Sequence, residues 1–206
     1  MCIRDRCVVV CDVGDAADAL CLRGREMMVG MLHAAGVLHD KMVRFMLSDG
    51  IHAVFAPKAF GALHVVGAMA NTSIEAIGLF SSVASTFGNV GQGSYAAANA
   101  YLDALAQSRR RRGALVSSLQ IPAVSGSGMG ATSFDREQLD AIGAVSLDEF
   151  AECLIIALAP ARAGAERTLV PLARGMLANT GIQASFERSN ALQRTTAVGS
   201  ALAQLF

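Results

Sequence analysis

The chain has 206 residues, 53% of them apolar and 17% charged, with 17 Lys plus Arg balancing 17 Asp plus Glu. That length can bury one full hydrophobic core, and the zero formal net charge provides no global field to draw nucleic acid or an anionic membrane. No run reaches the roughly 18 uninterrupted apolar residues that a membrane-spanning helix needs.

In chain order, Met1 to Arg6 lacks the apolar centre of a signal peptide and reads as a non-native leader. Cys7-Val-Val-Val-Cys11 predicts a short buried strand ending at Asp12 and Gly14. A short helix is expected over Ala16–Leu22 with Asp15 as its cap, then a strand over Met27–His33. Ser48 to about Met69 predicts a long helix, because Ile51, Val54, Phe55, Phe60, Leu63 and Val66 recur near helical spacing. Ile74–Ser81 is the next strand. Ser94–Arg112 is a helix with Ser94 as N-cap and Gly113 just past its end. Ala114–Gln120 is a further strand, and Gly126–Gly130 a loop. Helices near Asp135–Ile142 and Ser146–Leu158 lead to a last strand at Thr168–Leu172. From Ala173 to Phe206 the pattern fades into a tail or linker toward a following domain. The five cysteines are odd in number and lack paired CxxC spacing, so buried free thiols in a reducing cytoplasm are expected rather than a disulfide framework or a zinc site.

Strands alternating with helices imply right-handed βαβ units and an α/β fold with a doubly wound parallel sheet. Ligands of such sheets sit beyond the carboxyl ends of the strands, where His33–Gly36, Ser81–Ser82 and Gln120–Val124 all fall. Twelve residues separate Ser82 from Tyr95, and Asn99 follows four later. On a helix, Tyr95 and Asn99 share a face. A phenol is protonated at neutral pH and can donate a proton; a serine hydroxyl can stabilise a developing alkoxide. This is the equipment for reducing a carbonyl by hydride transfer. On spacing alone, the same residues read equally well as a helix N-cap region with a half-buried tyrosine.

The surrounding residues separate these readings. The run Phe80–Ala106 resembles the active-site block of ketoreductase domains in modular polyketide synthases, within the short-chain dehydrogenase/reductase superfamily. His33-Ala-Ala-Gly-Val37 resembles the family's segment before the nicotinamide ribose, Ala56-Pro-Lys58 its Ala-Pro-Lys motif, and Cys11-Asp12-Val13 its adenine-contacting turn. The resemblance implies that Tyr95 is the general acid, that Ser82 bonds the ketone oxygen, and that Lys58 is the lysine supplied by the preceding helix. Asn99 stands where ordinary short-chain dehydrogenases carry lysine. Asp12, Val13, Ala34, Ala35 and Gly36, with Lys58 and Tyr95, would line the cofactor. NADPH as hydride donor, an acyl carrier protein bearing a 3-ketoacyl thioester, and other synthase domains in the same polypeptide are likewise implied by the family.

Several features depart from the family. No GxGxxG precedes Cys7, so the Rossmann-like sheet is expected to be incomplete, with the first two βα units missing, over residues 7–172. The chain alone is then expected neither to bind NADPH tightly nor to turn over. A catalytically silent fragment or scaffold, or a standalone short-chain reductase, are the alternatives; Asn99 in place of lysine counts against the latter. Leu38-His39-Asp40 keeps only the third-position aspartate of the Leu-Asp-Asp motif, which implies the D-configured 3-hydroxyl. Leu119–Val124 replaces the family's Asn-Trp-Gly-x-Trp. Gly88–Gly93 is glycine-rich but reverses GxGxxG, so phosphate binding is not expected there. Arg109–Arg112 suits the cation preference of a helix C-terminus, with docking of a carrier protein as the alternative use.

Overall fold

A computed structural model of the chain describes residues 9–23, 28–126, 128, 135–141 and 144–158, together with the strand pieces at 2–3, 6–7 and 168–169. Among these residues lie a two-residue-strand hairpin, β1 (Cys2–Ile3) and β2 (Arg6–Cys7), and a four-stranded parallel sheet. The sheet runs in the order β3 (Gly30–His33), β4 (Ala76–Ser82), β5 (Val116–Ile121), β6 (Thr168–Leu169). In register, His33 pairs with Leu79, and Ser82 with Ile121, so the carboxyl ends of β4 and β5 finish together.

Alternation along the strands sends side chains to two helical layers. Ile77 and Leu79 of β4 and Val116 of β5 pack with Ala62, Val66, Leu102 and Ala106 on one face, beneath α3 (Gly61–Ala68) and α5 (Gly93–Arg110). On the other face, Leu119 and Ile121 meet Phe150, Cys153, Leu154 and Ala157, where α6 (Leu147–Leu158) covers the sheet. The Phe80 ring meets Phe150 edge-on at 5.7 Å between centroids. The doubly wound α/β sheet expected from the strand–helix alternation is therefore present.

Local chemistry fixes the element ends. Asp15 caps α1 (Ala16–Leu20) by accepting from the Ala17 and Asp18 amides, as expected. Ser146 and Glu149 form a reciprocal capping box at the start of α6. Gly113 follows α5 with φ of +83°, a left-handed conformation that glycine adopts without strain. Ser94 is not the cap of α5: the helix begins one residue earlier at Gly93, after Gln92, and Ser94 is buried in its first turn. The strand expected at Cys7–Cys11 is also corrected. Among its described residues only Cys7 lies in a strand, β2 of the hairpin, and Val9 and Val10 are exposed outside any strand. The thiols are less buried than expected, since Cys21 is exposed and Cys11 and Cys153 are half-buried. The expected tail from Ala173 and most of the Gly126–Gly130 loop lie outside the described residues.

The long helix over Ser48–Ala68 forms as expected but is not uniform. It comprises α2 (Ser48–Phe55), a π-helical turn (Ala56–Phe60) and α3. Pro57 lacks an amide hydrogen and its ring crowds the preceding turn, so the helix widens there rather than keeping its regular bonds. By length and composition this 21-residue helix could cross a membrane; here its apolar residues Ala62, Val65, Val66 and Ala68 are buried in the chain's own core.

Leu102 sits at 0% exposure at the centre of the α3–α5–sheet cluster. Leu102→Ala is expected to destabilise the fold by about 2–5 kcal/mol, measured by urea unfolding of the chain. A loss under about 1 kcal/mol would show that this face is not tightly packed.

Candidate active site

The π-turn places Lys58 inward. Its side chain is 3% exposed, its Nζ donates to the Phe80 carbonyl oxygen at 2.9 Å, and the same nitrogen lies 5.3 Å from the centre of the Tyr95 ring. An ammonium has three hydrogens, and Phe80 uses one. Burial is the main cause that lowers the Lys58 pKa to about 8, and the charge of Asp103 acts in the opposite direction. Gly36, at the end of the loop after β3, lets this side chain pass: a Cβ there would fall 2.9 Å from Lys58 Cε and 3.3 Å from Nζ. His33 at the end of β3 donates through Nε2 to the Lys58 carbonyl oxygen at 3.0 Å and is buried. Desolvation lowers its pKa, so it acts as a packed strand-end histidine.

Tyr95 stands in the first turn of α5, 8% exposed, against Val54, Ala59, Ala84 and Ala98. Burial is the main cause that raises its phenol pKa, hydrogen bonding from the Asn99 and Ser82 side chains acts to lower it, and the charge of Asp40 adds a further rise. Tyr95 is thus held toward its protonated form, the form that can donate a proton. Ser82, at the end of β4, accepts the Ala84 amide at 3.2 Å, which leaves its own hydrogen to donate. Asn99 is fully buried; its Nδ2 donates to the Tyr95 carbonyl oxygen at 2.9 Å, and its Oδ1 has no partner among the described residues. Lys58, Ser82, Tyr95 and Asn99, from three separate elements, therefore meet at one point.

The remaining named residues lie around the same strand ends. Asp12 accepts the Gly14 amide through Oδ1 at 2.9 Å in the loop before α1. The Val13 carbonyl oxygen accepts from His64 Nδ1 at 3.2 Å, which ties this loop to α3. Ala34 is exposed, and Ala35 and Gly36 are half-buried, on the segment leaving β3. This segment continues over the site: Leu38 packs beside the Tyr95 cluster, and Asp40 accepts from Gln92 Nε2 at 3.0 Å just before α5. Beyond β5, the Val145 amide donates to the Ala123 carbonyl and the Ser125 amide to that of Val145, which anchors the loop that replaces Asn-Trp-Gly-x-Trp. The arginines at 109–112 stand at the opposite end of α5, roughly 22 Å from Tyr95 at 1.5 Å per residue, where Arg110 donates to the Val116 carbonyl oxygen.

Sequence reasoning did not single out Asp103, Ser85 or Ser118 and placed Gln120 only at a strand end; together they form a polar seam directly beneath these groups. The signal was available: Asp103 lies four residues beyond Asn99 on α5, and Ser118 and Gln120 alternate onto one face of β5.

The model of the KR domain family matches residues 7–126. Among curated relatives, "Polyketide synthase GfsA" of Streptomyces halstedii is 45% identical over 116 residues, 54% of this chain and 2% of that protein. "6-methylsalicylic acid synthase" of Penicillium terrestre is 43% identical over 108 residues, 52% of this chain and 6% of that protein. The chain thus spans a small fraction of the length of these relatives. Among solved structures, the first ketoreductase of the tylosin polyketide synthase is 33% identical with a TM-score of 0.63, covering 71% of this chain and 33% of that one. An A1-type ketoreductase is 26% identical with a TM-score of 0.68, covering 82% and 41%. With a parallel α/β sheet and a family match over more than half its length, this chain belongs to the KR domain family, the ketoreductase domains of modular polyketide synthases within the short-chain dehydrogenase/reductase superfamily.

Proposed function

We propose that this sequence is the catalytic part of a ketoreductase that reduces a 3-ketoacyl thioester, carried on an acyl carrier protein, to the 3-hydroxyacyl thioester with NADPH. The observation that carries the reading is the meeting of Lys58, Ser82 and Tyr95 at the carboxyl end of β4. The site fits the nicotinamide end of a dinucleotide. Lys58 keeps hydrogens beyond the one given to Phe80, and Asn99 Oδ1 is a buried acceptor with no partner among the described residues. Lys58, Tyr95 and Ala34–Gly36 would hold the nicotinamide ribose, with Asp12 and Val13 toward the adenine. When bound, the cofactor supplies the hydride.

The protein's own residues supply the rest. Ser82 donates to the ketone oxygen and favours the charge that builds there. Tyr95 gives its phenolic proton to that oxygen, a general-acid step that contributes about 10²–10⁴-fold. The Lys58 ammonium beside the ring stabilises the phenolate left behind, and cation and ring face already attract before the proton moves. Asn99 holds the first turn of α5 through the Tyr95 carbonyl.

In a complete ketoreductase domain carrying this sequence, Tyr95→Phe should lower ketoreduction at least about 10²-fold with cofactor affinity unchanged; near-normal turnover would exclude Tyr95 as the acid. The reaction needs Lys58 charged. Its pKa of about 8 means that the ammonium is present below that pH and lost above it, so the reduction rate should fall as pH rises through about 8. A rate that stays flat to pH 10 would contradict the role of Lys58. We further propose, from Asp40 in the third position of Leu38-His39-Asp40, that the product carries the D-configured 3-hydroxyl; chiral chromatography finding the L-alcohol would refute this.

A further inference from the structure

Asp103 takes no part in the chemistry proposed above, yet it occupies the junction of three elements. Its Oδ2 accepts from Ser85 Oγ of α4 (Ala84–Phe87) at 2.8 Å and from Gln120 Nε2 of β5 at 2.8 Å. Its Oδ1 accepts from Ser118 Oγ of β5. Gln120 Oε1 in turn accepts from Thr86 Oγ1 of α4 at 2.9 Å, which closes the circuit. Every partner is a donor, the arrangement an ionised carboxylate takes and one that strengthens each bond. One turn earlier on the helix, Ser81 Oγ donates to the Asn99 carbonyl oxygen at 3.2 Å, so β4 is also fastened to α5.

A seam between helix and sheet made only for stability is served as well by apolar side chains, because burying polar groups brings little net gain even when they are satisfied. Here the polar stretch is confined to the strand ends. Lower on the same faces, Val116, Ile77 and Leu79 are apolar. The clamp starts at Ser85, three residues after Ser82, and ends on the helix that carries Tyr95 and Asn99. We infer that Asp103 is a positioning residue for the ketoreduction: through Ser85 and Gln120, its carboxylate holds the turn bearing Ser82 against the helix bearing Tyr95. This inference rests on the ketoreductase reading and deepens it.

The carboxylate has a second effect through space. The titratable groups facing Lys58 are Tyr95 and Asp103 from α5 and His33 from β3, with Asp40 acting on Tyr95 from the loop above. Asp103 is the group among them whose charge favours the ammonium.

The test compares Asp103→Asn, Asp103→Glu, Ser85→Ala and Tyr95→Phe with the wild type in a complete ketoreductase domain carrying this sequence, reading kcat, its pH profile and the unfolding midpoint. Asp103→Asn keeps the amide-sized link but removes the charge. It should lower kcat about tenfold, within the range expected of small misplacements of reacting groups, and move the alkaline limb to lower pH. Asp103→Glu should restore the limb without restoring kcat in full. Ser85→Ala breaks the clamp and keeps the charge, so kcat should fall with the limb unmoved. Wild-type kcat and limb in Asp103→Asn would overturn the inference, as would a loss that follows only the fraction of folded molecules. If Asp103→Asn does not fold, Ser85→Ala decides alone, and wild-type kcat there overturns the inference. Full activity in Tyr95→Phe would instead remove the ketoreductase reading on which this one stands.

Discussion

Burying a lysine ammonium with one carbonyl oxygen and one aromatic face for company costs free energy that a fold has no structural reason to bear. Lys58 is held in that condition by three features that the rest of the chain makes possible. The π-turn at Pro57 rotates it toward the sheet, Gly36 vacates the space its stem occupies, and the end of β4 presents the Phe80 carbonyl. Perturbed charges cluster where a protein does chemistry, which is why the proposal above is centred on this lysine. Here the perturbation places Lys58 near pH 8, within reach of the pH at which an enzyme operates.

The parallel sheet explains why so few contacts suffice to assemble the site. Strands β3, β4 and β5 run the same way, so His33, Ser82 and Ile121 arrive at one edge without long excursions of the chain. Helix α5 starts at that edge and carries Tyr95 and Asn99 in its first two turns, while its other end, with the arginines, lies far away. Apolar packing through Leu79, Leu102 and Val116 fixes the middle of the molecule. Near the site the packing becomes polar, through Ser81, Ser118, Gln120 and Asp103, where orientation matters more than buried area.

Much of this was legible in the sequence, and the parts that were not have physical causes. The order of strands and helices from Gly30 to Ile121 followed from apolar runs and helical periodicity, and Asp15 and Gly113 marked helix ends by their chemistry. The Lys58–Ser82–Tyr95–Asn99 set was named from spacing and family resemblance, and the fold brings the four together. The π-turn was missed because Pro57 was read as part of a motif and not as a break in amide hydrogen bonding. The Cys7–Cys11 segment failed because β-branched residues favour a strand only where a neighbour exists to pair with. Ser94 looked like a cap, but the chain entered the helix one residue sooner. The Asp103 seam escaped because a lone aspartate on a helix and alternating polar residues on a strand acquire meaning only when the two faces meet.

The account turns on the state of one amine. Titration of the Lys58 side chain by ¹⁵N or ¹³C NMR in the folded chain, assigned with Lys58→Arg, reads that state directly. The structure predicts a midpoint near 8, with a parallel response in the Tyr95 ring signals. A midpoint at the ordinary lysine value of 10.5, with Tyr95 unresponsive, would mean that the ammonium lies in water and not beside the phenol, and the site as described would not exist.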